Sequence, residues 1–165
     1  MQNGLLSIIM VNFNHGFFIK EAIDSVFRQK YSNWELLIVD DGSKDNSPEI
    51  IQGYLDKSND KVRLLFHPER KNLGISASYA LAIKEAKGEF IGFLEPDDIW
   101  HEDNAQIKIA LFNDNNIGVV FSSVEPIGDP GFISSKINYL KICLKLPLRR
   151  PFEATRKLFT LNFIP

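Results

Sequence analysis

The sequence predicts an α/β protein: a mainly parallel, Rossmann-like sheet with helices on both faces. Short apolar, β-branched runs recur along the chain, and each is followed by a stretch whose apolar residues repeat at helical spacing. The runs are continuous instead of alternating, which is the pattern of strands buried on both faces.

Residues 5–11 form the first run, bounded by Gly4 and Asn12. After a polar turn, Ile19, Ile23, Val26 and Phe27 predict a helix over residues 17–29. Residues 34–39 read as the second strand. Ser47 is a capping residue by type and Pro48 suits a first helical position, so the next helix begins there, with Ile51, Tyr54 and Leu55 inward. Residues 62–66 are the third strand. A helix over residues 75–87 places Tyr79, Ala82, Ile83 and Ala86 on one face and stops at Gly88, read as a left-handed cap. Residues 89–94 are the fourth strand, 104–113 a further helix and 118–122 the fifth strand. From 125 to 131 the Pro and Gly content rises and the periodicity fades. We therefore place the α/β domain at 1–124 and read 125–165 as a loop and basic segment.

At 165 residues the chain has room for one sizeable core. Hydrophobic residues at 44% and charged residues at 24% exclude a disordered chain. Cys143 is the single cysteine, so an internal disulfide and a zinc ribbon are excluded and a reducing cytoplasm is the expected setting. The apolar start is too short for a membrane span, which needs about 18 apolar residues. The net charge of −2 hides an asymmetry: the stretch from Ser134 onward carries +6 and the body before it −8. A basic run interleaved with Leu, Ile and Phe suits peripheral contact with the inner face of an anionic membrane, or a phosphate-bearing ligand. A solvated amphipathic helix is the plainer reading of that run. No nucleic-acid partner is expected.

Parallel sheets bind ligands outside the carboxyl ends of their strands, which singles out the segments after Val11, Val39 and Leu94. Two carboxylate pairs lie there, Asp40-Asp41 and Asp97-Asp98. Adjacent like charges repel, and a divalent cation is an economical way to hold them. Mg²⁺ or Mn²⁺ binds through one or two carboxylates and completes its shell with water and phosphate oxygens. Either pair alone could be only turn or cap chemistry, as Asp40-Asp41-Gly42-Ser43 would allow.

Four segments, in order and on the expected elements, resemble the signature of family 2 glycosyltransferases. They are residues 7–14 (SIIMVNFN), 35–43 (ELLIVDDGS), 72–76 (NLGIS) and 93–100 (FLEPDDIW). The resemblance covers about residues 6–122 and implies a nucleotide-diphosphosugar transferase fold of the GT-A type. It implies a donor site in which Val11, Phe13 and Asp41 hold the base, with Asn12, Asn14, Asp40, Asn72 and Gly74 around it. It also implies that Glu95 and Asp97 contact the nucleotide sugar, and that Asp98, with Asp97, binds the Mn²⁺ or Mg²⁺. The partners implied are a nucleotide-diphosphosugar, a UDP-sugar first among them, and a carbohydrate or lipid-linked acceptor. The transfer implied is inverting.

The chain departs from the family pattern at two points. Glu95 stands where the family has Asp, and Tyr79-Ala80 stand where it often has an Arg-Asn pair. His15, His67 and His101 read as structural or solvent-facing. The family's catalytic base comes from the acceptor half, expected beyond Pro165, and Asp103, Asp114 and Asp129 do not match it by motif. By this reading the chain is a truncated donor-binding part, inactive in transfer by itself, and a non-catalytic nucleotide-sugar-binding module is the alternative. A receiver domain is disfavoured because its paired acids would follow the first strand, where Val11-Asn12-Phe13-Asn14 stand.

Overall fold

The computed structural model describes residues 1–114, 116–122, 127 and, as backbone, 157–159. In chain order the elements are β1 (Gln2–Asn12), α1 (Ile19–Phe27), β2 (Trp34–Asp40), α2 (Ser47–Leu55), β3 (Val62–Phe66), a 3₁₀ turn (Pro68–Arg70), α3 (Ile75–Glu85), β4 (Gly88–Phe93), α4 (Asn104–Leu111), β5 (Val119–Val120) and β6 (Lys157–Phe159). The strands form one sheet in the order β3-β2-β1-β4-β6-β5, and every pairing is parallel.

Side chains alternate across a strand, so one apolar run feeds two cores. Leu6, Ile8 and Met10 of β1, with Leu36 and Ile38 of β2, pack with α1, α2 and α4 through Ile19, Ile23, Val26, Ile51, Ala105 and Phe112. Ile9, Leu37 and Val39 face the other way and meet Ala82 of α3 and Ala86 just after it. Fully burying a Leu or Ile side chain contributes roughly 1.5–3 kcal/mol. The central strands β1 and β2 therefore anchor the fold and fix the positions of their carboxyl ends.

Several elements differ from the sequence reading. α1 begins at Ile19 instead of 17, and the N–H groups of Phe18 and Ile19 both donate to the His15 carbonyl, leaving Phe17 exposed. Ser47 does not cap α2: Asn46 holds that place without a side-chain bond, and the Ser47 hydroxyl is bonded to Asn12 and Asp45. Pro48 sits in the first turn as expected, where its missing N–H is harmless. Gly88 is not a helix cap. α3 ends at Glu85, and Gly88 opens β4 against β1. A Cβ there would lie 2.5 Å from the Leu5 carbonyl oxygen and 2.7 Å from the Ser7 amide nitrogen. On α3, Ser78 turns inward and Ile83 stays at the exposed rim, while Tyr79 and Ala82 face the sheet side.

α4 and β5 are shorter than expected. β6 lies in the stretch read as a loop and basic segment, and it pairs with β4 at Phe90 and Ile91 and with β5 at Val119 and Val120. Three residues between basic and apolar neighbours are too short to show a period. The rest of the basic stretch lies outside the described residues.

Candidate donor site

Chain order runs outward from β1 through β2 to β3, then returns to place β4 on the other side of β1. The crevice at such a reversal, beyond the carboxyl ends of the strands, is where open α/β sheets bind ligands. The three segments singled out by sequence converge there. Asn12 pairs in register with Asp40, and the Leu94 N–H donates to the Ile9 carbonyl at 3.0 Å.

Asn12 is fully buried at the end of β1, and its Nδ2 faces three acceptors: Asp40 Oδ2 at 2.7 Å, Ser47 Oγ at 2.8 Å and Ser43 Oγ at 3.0 Å. Asp40 also accepts the Ser43 N–H at 3.1 Å through Oδ1. Asp40 is therefore used within its own turn. Asn14 adopts a left-handed backbone (φ 59°), accepts the Lys44 N–H at 2.7 Å and donates its own N–H to Ser43 Oγ at 3.0 Å. Asp45 accepts the Gly16 N–H at 2.7 Å. These bonds tie the loop after β1 to the loop after β2, and leave Val11 buried and the Phe13 ring 44% exposed at the crevice.

Asp41 performs a structural task that its sequence position does not reveal. Its Oδ1 accepts the Leu73 N–H at 2.8 Å and its Oδ2 the Gly74 N–H at 2.9 Å. One buried carboxylate thus pins the segment that leads into α3, using the charge-assisted bonds that are the stronger kind. Gly42 (φ 82°) lets the backbone pass there, since a Cβ would meet the Arg70 carbonyl oxygen at 2.9 Å. Buried His67 lies 3.6 Å from Asp41 Oδ1 and 2.8 Å from Ser78 Oγ, which fits its reading as structural. Gly74 has φ 87° and Asn72 is exposed beside the pinned turn.

The segment after β4 makes a tight turn in which the Asp98 N–H donates to the Glu95 carbonyl at 3.1 Å. Asp97 is exposed and Asp98 half-buried. Buried Trp100 fixes the far side, donating its N–H to Ser25 Oγ at 3.2 Å. The Tyr79 phenol on α3 donates to Glu95 Oε1, and its ring packs edge-on against Phe93 at 5.3 Å. Burial raises the Glu95 carboxyl above the usual range. The Tyr79 bond opposes the rise, Asp97 and Asp98 add to it, and His15 opposes it. Burial and the Glu95 charge also push the Tyr79 phenol upward.

Among the described residues, no group of three or more His, Cys, Asp or Glu side chains forms a ready metal cage. Mg²⁺ and Mn²⁺ commonly use one or two protein carboxylates and take the rest of their shell from water and phosphate. Exposed Asp97 and half-buried Asp98, adjacent in the turn after β4 at the crevice, fit that demand. Sequence reasoning missed Ser43, Ser47 and Tyr79 as members of the site. Ser43 lay inside the quoted motif. Nothing in the local sequence ties Tyr79 to Glu95.

The sequence matches the family described as Glycosyl transferase family 2 over residues 7–164. It is 35% identical over 147 residues to the Escherichia coli UDP-Glc:alpha-D-GlcNAc-diphosphoundecaprenol beta-1,3-glucosyltransferase WfgD, covering 86% of this chain and 56% of that protein. The putative teichuronic acid biosynthesis glycosyltransferase TuaG of Bacillus subtilis is 27% identical, with coverage of 77% and 49%. The chain thus spans little more than half the length of the first, and less of the second. Among solved structures, S. aureus TarS in complex with UDP-GlcNAc superposes with a TM-score of 0.60 at 28% identity, covering 76% of this chain and 36% of that one. Mannosyltransferase PcManGT from Pyrobaculum calidifontis, in complex with GDP-Man and Mn²⁺, shares the fold with a TM-score of 0.64 at 21% identity, covering 73% of this chain and 35% of that one.

Proposed function

We propose that this chain, which belongs to glycosyltransferase family 2, binds a nucleotide-diphosphosugar and a divalent cation in the crevice between β1 and β4, for transfer of the sugar to an acceptor hydroxyl. The observation that carries the reading is the meeting of two acidic segments at one sheet edge, where Asp41 organises the approach to α3 and Glu95–Asp98 form the facing turn.

In this reading Phe13, Val11 and Asp41 receive the base. An exposed ring can stack on a pyrimidine, and Asp41 retains acceptor lone pairs beyond the two backbone bonds it makes. Asn12, Asn14, Asp40, Asn72 and Gly74 shape that pocket through the loops they hold. Glu95 and Asp97 face the ribose and sugar, and Asp98 with Asp97 holds Mn²⁺ or Mg²⁺. The bound ion supplies Lewis-acid stabilisation of the departing diphosphate. A UDP-sugar is the donor best supported, because a 28%-identical neighbour is solved with UDP-GlcNAc and a 35%-identical relative is named for UDP-Glc. That relative's name includes a diphosphoundecaprenol acceptor, and a lipid-linked acceptor at the inner membrane face would suit the basic stretch after Ser134. No helix among the described residues is long and apolar enough to cross a membrane.

Isothermal titration with UDP and UDP-sugars, with and without Mn²⁺, tests the proposal. Mn²⁺ should tighten nucleotide binding, and Asp98→Asn should remove that gain while leaving Tm unchanged. Metal dependence that survives in the Asp98 variant would refute the assignment of that carboxylate.

A further inference from the structure

Glu95, in the turn after β4, is anchored by a side chain from another element. The Tyr79 phenol, on α3, donates to Oε1, and among the described residues Oε2 takes no hydrogen bond. The ring that carries the phenol is itself fixed, edge-on to Phe93 at 5.3 Å. α3 is fixed in turn, because Asp41 pins Leu73 and Gly74 immediately before it. A chain of contacts therefore runs from the acid after β2, through the first turns of α3, to the acid after β4.

We propose that Tyr79 is a positioning residue for donor binding: its phenol holds one oxygen of Glu95 so that the other is presented to a hydroxyl of the bound nucleotide sugar. The inference rests on the donor reading above and adds a residue to it. A free Glu side chain has three rotatable bonds, and two neighbouring carboxylates would drive it away from the turn. Anchoring one oxygen removes that freedom before the ligand arrives, which is how a surrounding hydrogen bond raises the affinity of a binding group without touching the ligand. The length of Glu95 is part of the device. An Asp at 95 would draw the carboxylate back by one methylene, out of reach of a phenol held by Phe93. Tyr79 and Glu95 thus act as a matched pair, and the phenol supplies a neutral donor, leaving the negative charge of Glu95 in place.

The test is a double-mutant cycle read by titration of the purified protein with UDP and with UDP-GlcNAc in Mn²⁺, with Tm measured alongside. Tyr79→Phe keeps the ring on Phe93 and removes only the hydroxyl. It should weaken nucleotide affinity about fivefold in the parent protein and leave it unchanged in a Glu95→Ala background, the non-additivity expected of directly bonded side chains. Glu95→Asp, which keeps the charge and shortens the reach, should repeat the loss. Equal losses from Tyr79→Phe in both backgrounds would overturn the proposal. So would a lowered Tm with unchanged affinity, because the pair would then serve the fold alone. Parent protein that binds UDP while the cycle is additive sinks the inference and spares the donor reading; parent protein that binds neither nucleotide sinks both.

Discussion

Replacing Lys108 with Met should stabilise the protein at neutral pH, by an amount that vanishes in alkali. Lys108 lies on α4 between Ala105 and Phe112, is 6% exposed, and has its ammonium 5.6 Å from the centre of the Trp100 ring. Burial pulls its amine down from 10.5 to about 8. In the unfolded chain the same amine titrates near 10.4. Below about pH 8 both states carry the charge, and the folded state bears the full penalty of keeping it away from water. Between about 8 and 10.4 the folded amine releases its proton first, so stability rises with pH until both states are neutral and the penalty is gone. At about 1.4 kcal/mol per pH unit the drop corresponds to about 3 kcal/mol, an upper bound for an order-of-magnitude argument. Met is close in length, has no charge to desolvate, and its sulfur packs well on an aromatic ring. The assay is urea unfolding of parent and variant at several values between pH 6.5 and about 10.5. The variant should be more stable by about 1–3 kcal/mol at pH 7, with the difference closing across the alkaline range. A variant less stable at pH 7, or a difference independent of pH, would refute the account of a charge held at an unfavourable site.

Two further substitutions probe the frame of the site. Gly88→Ala forces a methyl to within 2.7 Å of the Ser7 amide nitrogen and 2.5 Å of the Leu5 carbonyl oxygen. It should cost about 3 kcal/mol, because the atoms it meets belong to the central strand and have nowhere to move; an unchanged Tm would show that β1 and β4 can separate freely. Asp41→Ala should weaken uridine nucleotides by about 1–3 kcal/mol. It should also speed amide exchange at Leu73 and Gly74, whose N–H groups lose their acceptor. Amide protection that stays unchanged would contradict the clamp, and unchanged affinity would move the base elsewhere.

The sequence alone determined the class of fold and the edge of the sheet at which its paired acids gather. Strands buried on both faces are apolar along most of their length, so residues 5–11 and 34–39 stand out despite Ser7 and Glu35, which are buried and hydrogen-bonded to each other. Acids placed directly after such runs fall at the carboxyl ends of a parallel sheet whatever the strand order. Only the tertiary structure decided which strands are neighbours, and therefore that the turn after β4 closes on β1. It turned Gly88 from a helix cap into a point of close strand contact and Ser47 from a cap into a partner of buried Asn12. It made Asp41 the clamp of a segment 32 residues further along. It also buried Lys108, which helical spacing alone does not distinguish from an exposed lysine, and joined Tyr79 to Glu95. Periodicity reports how a segment meets water, because that is a property of one element. Contacts between elements distant in sequence leave no local period, so those roles are settled only when the sheet order and the helix that covers each face are fixed.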